Sequence, residues 1–77
     1  MPTILRVGAY RLVFYSSNGA EPPHVHVERE KGTCKFWLEP LSLARNFGFT
    51  ARELNMVRRI IETNASVIME AWNEHCG

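Results

Sequence analysis

Between His24 and Glu39 apolar and polar side chains alternate on either side of a short polar break, Lys31-Gly32. Successive side chains on a strand point to opposite faces, so this alternation reads as half-buried β-structure, and two such runs joined by two residues read as a hairpin. With Lys31-Gly32 as the loop, strands over 24–30 and 33–39 pair Val27 with Phe36 and Val25 with Leu38 on one face. The other face then sets Glu28 opposite Lys35, His26 opposite Trp37 and His24 opposite Glu39. A one-residue slip would turn Phe36 and Leu38 into water, so apolar pattern and turn support the same pairing.

The same logic extends outward from this hairpin. Strands over 4–7 and 10–15 flank Gly8-Ala9, with glycine first as a type II′ turn needs. Val7 then pairs with Tyr10, Arg6 with Arg11 and Leu5 with Leu12. Facing arginines repel, so either a nearby carboxylate or a bound anion relieves them or the strands pair in another register. Residues 16–23 hold Ser-Ser-Asn-Gly and Pro-Pro and read as an irregular loop. Pro40 stops the second hairpin. Residues 41–45 fit a strand or a helical turn equally, and Asn46-Phe47-Gly48 reads as a turn.

Thr50-Ala51-Arg52-Glu53 is a capping box, with Phe49 and Leu54 at the hydrophobic-staple positions. Leu54, Val57, Ile61, Ile68, Ala71 and Trp72 follow as one helical stripe, which Asn64 interrupts with a kink or a split. Unbroken, about 25 residues at 1.5 Å each would reach roughly 38 Å, long for so small a fold. The expectation is an α+β domain over 1–77: an antiparallel meander of about four strands in 1–40, a connection in 41–49, and a long helix over 50–76 packed on one face.

Composition narrows the setting. The chain has 77 residues and a net charge of +1, so its total charge does not call for nucleic acid or an acidic membrane. No apolar run approaches the ~18–20 residues of a membrane span, and the opening Met1-Pro2-Thr3-Ile4-Leu5-Arg6 lacks a signal-peptide pattern. Two cysteines, Cys34 on the apolar face and Cys76 near the end, fit reduced thiols in a cytoplasmic protein.

The outward face of the predicted sheet carries Arg6, Arg11, Val13, Tyr15, His24, His26, Glu28, Lys35, Trp37 and Glu39. Three readings of its histidines compete. Imidazoles can simply fill a half-exposed face, paired to Glu28, Glu39 or a carbonyl. A His-x-His pair on a strand can chelate a metal, but a zinc or iron site wants a third and fourth ligand, from Glu28 or Glu39 and from His75 or Cys76. Or His24 and His26 act as acid and base in phosphodiester cleavage, with Lys35 and Arg11 holding phosphate and Tyr15 and Trp37 stacking bases, as in a metal-independent ribonuclease. No metal or cofactor is assigned on this evidence.

Met1-Pro2-Thr3-Ile4-Leu5-Arg6, Tyr10-Arg11, Phe14-Tyr15-Ser16, Glu21-Pro22-Pro23-His24-Val25-His26-Val27, Lys35-Phe36-Trp37-Leu38-Glu39-Pro40, Leu43-Ala44-Arg45-Asn46 with Gly48-Phe49, and Glu70-Ala71-Trp72-Asn73-Glu74 form a recognisable series. Through these motifs the chain resembles domain-of-unknown-function family 4160, a family of small bacterial proteins. The resemblance implies one half of a two-gene module of the toxin–antitoxin kind, encoded beside a second small protein, and it carries no established catalytic residue. The expected function is therefore action on RNA or on a partner protein through the His/Trp/Arg face. The alternative is a non-catalytic binding module, an antitoxin or adaptor, in which the helix overhang docks a partner or a second copy.

Overall fold

The computed structural model describes residues 3–15 and 21–76. Five antiparallel strands run in meander order: β1 (Thr3–Val7), β2 (Tyr10–Val13), β3 (His24–Arg29), β4 (Gly32–Leu38) and β5 (Leu41–Phe47). Two helices follow, α1 (Ala51–Thr63) and α2 (Ala65–Cys76). The sheet therefore has one strand more than the pattern suggested. What read as a connection over 41–49 is mostly β5, which pairs with β4 from Thr33↔Phe47 to Leu38↔Leu41. Its alternation is weak because it is an edge strand, and most of its residues are exposed.

The first hairpin has the expected register, Leu5↔Leu12, Arg6↔Arg11 and Val7↔Tyr10, with Gly8 at φ +58°. The second is displaced by two residues. Val25 faces Phe36, His26 faces Lys35 and His24 faces Trp37, so the loop is Glu30-Lys31 and Gly32 enters the ladder opposite Arg29. A two-residue displacement preserves the side-chain faces, so the inner and outer sets survive it. The cause lies outside the hairpin. A Cβ on Gly32 would stand 2.8 Å from the Phe49 ring, so this glycine serves a close approach in a strand rather than a turn.

Leu12, Phe14, Val25, Val27, Cys34 and Phe36 meet Val57, Ile61, Ile68 and Trp72 in one core, joined by Tyr10 and Phe49. Val13 is buried as well, although it was placed on the outer face; it lies in register beside His26. Asn46 sets up the entry to the helices. Its side chain donates to the Phe49 carbonyl and accepts from the Phe49 amide, at 3.0 and 3.1 Å. The capping box forms as predicted: Thr50 Oγ1 accepts from the Glu53 amide and Glu53 Oε1 from the Thr50 amide. Glu53 also pairs with Arg29 of β3 at 2.8 Å, which ties the helix start to the sheet.

The helix is split rather than long. Asn64 takes φ −110° and ψ 21°, its side chain donates to the Ile60 carbonyl at 2.8 Å, and its own carbonyl accepts the Ile68 amide. It thus ends α1 and begins α2. The longest extent of the fold is 32 Å, less than an unbroken helix would span. No described helix is long and apolar enough to cross a membrane.

Gly48 adopts φ +86°, and a Cβ there would meet the Lys31 carbonyl oxygen at 2.7 Å. Gly48→Ala is expected to destabilise by about 1–3 kcal/mol through backbone strain and clash, and Gly32→Ala by a similar amount through overpacking on Phe49. Urea denaturation midpoints check both.

Candidate site on the outer sheet face

The outer face is organised by cross-strand partners. Arg11 lies in register with Glu28, and its Nη2 donates to Glu28 Oε1 at 2.5 Å. The facing arginines of the first hairpin are thus relieved by a carboxylate from the next strand. Tyr15 extends past β2, where its hydroxyl donates to Glu28 Oε2 at 2.8 Å. Its ring stacks on His26, centroids 3.8 Å apart and 15° from parallel. Arg11 and Tyr15 together hold the Glu28 carboxyl below the usual range, while burial and Glu28 push the Tyr15 hydroxyl above its own.

A second cluster gathers at the start of β3. Glu21 accepts from Lys35 Nζ at 3.0 Å and stands 3.6 Å from His24 Nε2, an ion-pair distance but too long for a hydrogen bond. Lys35 also lies 4.4 Å above the Trp37 ring. Its hydrogen bond holds the Glu21 carboxyl below the usual range. The role expected of Glu39 therefore falls to Glu21. Glu39 lies in the exposed turn after β4, beyond the register that sets His24 opposite Trp37.

His24 overturns a premise of the acid–base reading. Its alternation is as expected, since it contacts His26 and Trp37 with centroids 5.3 and 5.7 Å away. It is nevertheless 0% exposed. The Trp72 indole of α2 lies 5.1 Å from it and covers the strand end. Alternation gives the face a side chain points to, but not how far the helix layer reaches past the sheet's end. His24 Nδ1 contacts the Pro22 carbonyl at 2.9 Å, and because a carbonyl only accepts, the proton of that bond sits on Nδ1.

His26 is half-buried, and its Nδ1 is buried without a hydrogen-bond partner. Burial, reinforced by His24 and Lys35, pushes its pKa down to about 4. At neutral pH it is a neutral ring, stacked on Tyr15 and edge-on to His24, rather than a proton donor. Cys34 is equally inert, its thiol raised to about 11 by burial.

Besides Glu21, three contributors were not anticipated. Arg45 and Phe47 of β5 and Thr33 of β4 line a cleft with Tyr15, His26 and Lys35. Lys35 and Arg45 face each other across the β4–β5 ladder, beside a bulge between Lys35 and Phe36. The sequence signal for Arg45 was its alternation with Phe47, visible only once 41–47 is read as a strand. Metal chelation gains no third ligand, because no group of three or more His, Cys, Asp or Glu among the described residues is arranged to hold an ion. His75 is instead stacked on Phe14 at 5.6 Å, and the side chain of Cys76 lies outside the described residues.

The profile of a family described as Domain of unknown function (DUF4160) matches residues 9–73. No curated protein matches the chain significantly. No solved structure does either.

Removing the buried imidazole is expected to cost stability while removing its neighbour costs less. His24→Ala should lose on the order of 2–4 kcal/mol by leaving a cavity under Trp72, and His26→Ala clearly less; chemical denaturation distinguishes them. Acid should act in two windows. A folded His26 near 4 against an ordinary value of 6.5 means that unfolding takes up a proton between those pH values, so stability falls as pH drops from about 6.5 toward 4. Glu21, Glu28 and Glu53 are held below their ordinary 4.5, so the stability they add is lost as pH falls further through their lowered values. His26→Gln should flatten the upper window only, which a series of melts across pH would show.

Proposed function

The chain belongs to the DUF4160 family, and on that footing we propose that it is a non-cleaving, RNA-binding member of a two-protein module of the toxin–antitoxin kind. The observation that carries the reading is the combination of a buried His24 with a cationic and aromatic outer face. An acid–base pair needs two groups in reach of one substrate. His24 is enclosed by Trp72, Trp37 and His26, and His26 is neutral near pH 7. What stays accessible on this side of the sheet suits binding: Arg45 exposed, Phe47 62% exposed, and Arg11 and Trp37 partly so. A sheet face bearing cations and aromatic rings is a common platform for unstacked bases and backbone phosphates. The second small protein expected beside it would then control access to this face. Lys35 serves here as a phosphate-side cation rather than a catalytic group.

A second reading is favoured by Met56 and Val67, which stand 50% and 51% exposed on α1 and α2. Large exposed apolar side chains on the helices, Val67 in a groove beside Thr3 and Ile4 and Met56 among Arg52, Asn55 and Arg59, fit a protein partner better than RNA.

Purified protein mixed with labelled single-stranded RNA is expected to shift it in a gel and return it at full length after long incubation at neutral pH. Cleavage products that His26→Ala abolishes would restore the catalytic reading. No RNA binding, together with co-purification of the neighbouring small protein that Met56→Ser and Val67→Ser weaken, would leave the protein-binding reading in its place.

A further inference from the structure

We propose that the cleft between β4 and β5 seats one nucleotide of single-stranded RNA, its phosphate between Lys35 and Arg45 and its base against Phe47. The proposal rests on the RNA reading above and adds the residues and the unit they recognise. Like charges set directly opposite on neighbouring strands weaken a sheet, and Lys35 and Arg45 are such a pair. The equivalent conflict at Arg6 and Arg11 is relieved by Glu28. Here the relief is incomplete. Glu21 pairs with Lys35, while among the described residues no carboxylate stands at ion-pair distance from Arg45. An anion held between the two strands would complete it.

The neighbouring groups say which anion. Phe47 points outward on the same face as Arg45, 62% exposed, where an apolar ring in water is costly unless something stacks on it. Tyr15 and His26, already stacked on each other, form the opposite wall of the cleft, with Thr33 between. His26 adds no positive charge there, since it is neutral above about pH 4. A cation pair beside a flat ring matches a phosphate joined to a base; an acidic peptide would use the cations and ignore the ring. The size of the cleft limits what it can enclose by itself. The cleft holds about 130 Å³, well below the ~300 Å³ of pockets that enclose a small molecule. It can take one group of a ligand that runs on across the sheet.

Phosphate contact and base stacking leave different marks, and two exposed residues separate them without threatening the core. Binding of fluorescein-labelled single-stranded oligouridylate and oligoadenylate is followed by anisotropy over a range of salt concentrations, for the full chain and for Arg45→Gln and Phe47→Ala. Arg45→Gln is expected to reduce the steepness of log K against log salt by about 0.7, the share of one phosphate on a single strand. Phe47→Ala is expected to weaken binding roughly five- to hundred-fold with the salt slope unchanged. The Phe47 effect should vanish on duplex RNA, whose bases are already stacked. If the full chain binds and both variants match it in affinity and slope, the cleft is not the nucleotide site, although the RNA reading stands. A loss on Arg45→Gln alone would also overturn the proposal, in favour of a simple anion site. If the full chain binds no RNA, both fall together. Melting temperatures close to that of the unaltered protein confirm that the variants are folded.

Discussion

The Phe49 ring lying on Gly32 is the contact from which the rest of the site follows. It places Gly32 in the ladder and so sets the loop at Glu30-Lys31. That choice puts His26 opposite Lys35 and His24 opposite Trp37, and it removes Glu39 from the histidines. The same ring is delivered by the Asn46 brace and leads directly into the capping box of α1. Arg29, which spans from β3 to Glu53, also lies 4.9 Å over the Phe49 ring. One aromatic side chain thus couples hairpin register, helix entry and a cross-element ion pair.

Much of this was legible from period and turn chemistry alone. The first hairpin, the inner apolar set, the capping box and the break at Asn64 are local consequences of residue type, so a sequence states them. Three things were not local. The displacement of the second hairpin depends on Phe49, which follows it by several residues and has no periodic signature. β5 is an edge strand, and its pattern Leu-Ser-Leu-Ala-Arg-Asn-Phe carries a bulge that spoils strict alternation. The burial of His24 depends on Trp72, far away in the chain. In the candidate site, Arg11, Tyr15, Glu28, His26, Lys35 and Trp37 were found by parity; Glu21, Thr33, Arg45 and Phe47 needed the third dimension.

The electrostatics of the outer face follow a simple scheme. Two of its carboxylates lie beside groups that favour their charge, Glu28 between Arg11 and Tyr15 and Glu21 beside Lys35, and at the start of α1 Glu53 lies likewise against Arg29 and the Thr50 amide. These are partly exposed pairs, screened by solvent and weak in isolation. Their greater effect is geometric, because they hold Tyr15 over His26 and Lys35 over Trp37. A chain with a net charge of +1 can in this way present local positive potential along β5 without a basic composition.

The bulge opposite Lys35 and Phe36 has a further consequence for the molecule's solubility. Along its outer side β5 has no strand neighbour among the described residues, and it exposes Leu43 and Phe47. A straight edge of that composition would template the addition of another chain. The extra residue at Ala44 breaks the regular spacing of amides and carbonyls and increases the local twist. The irregularity thereby guards the open margin of the sheet against runaway stacking.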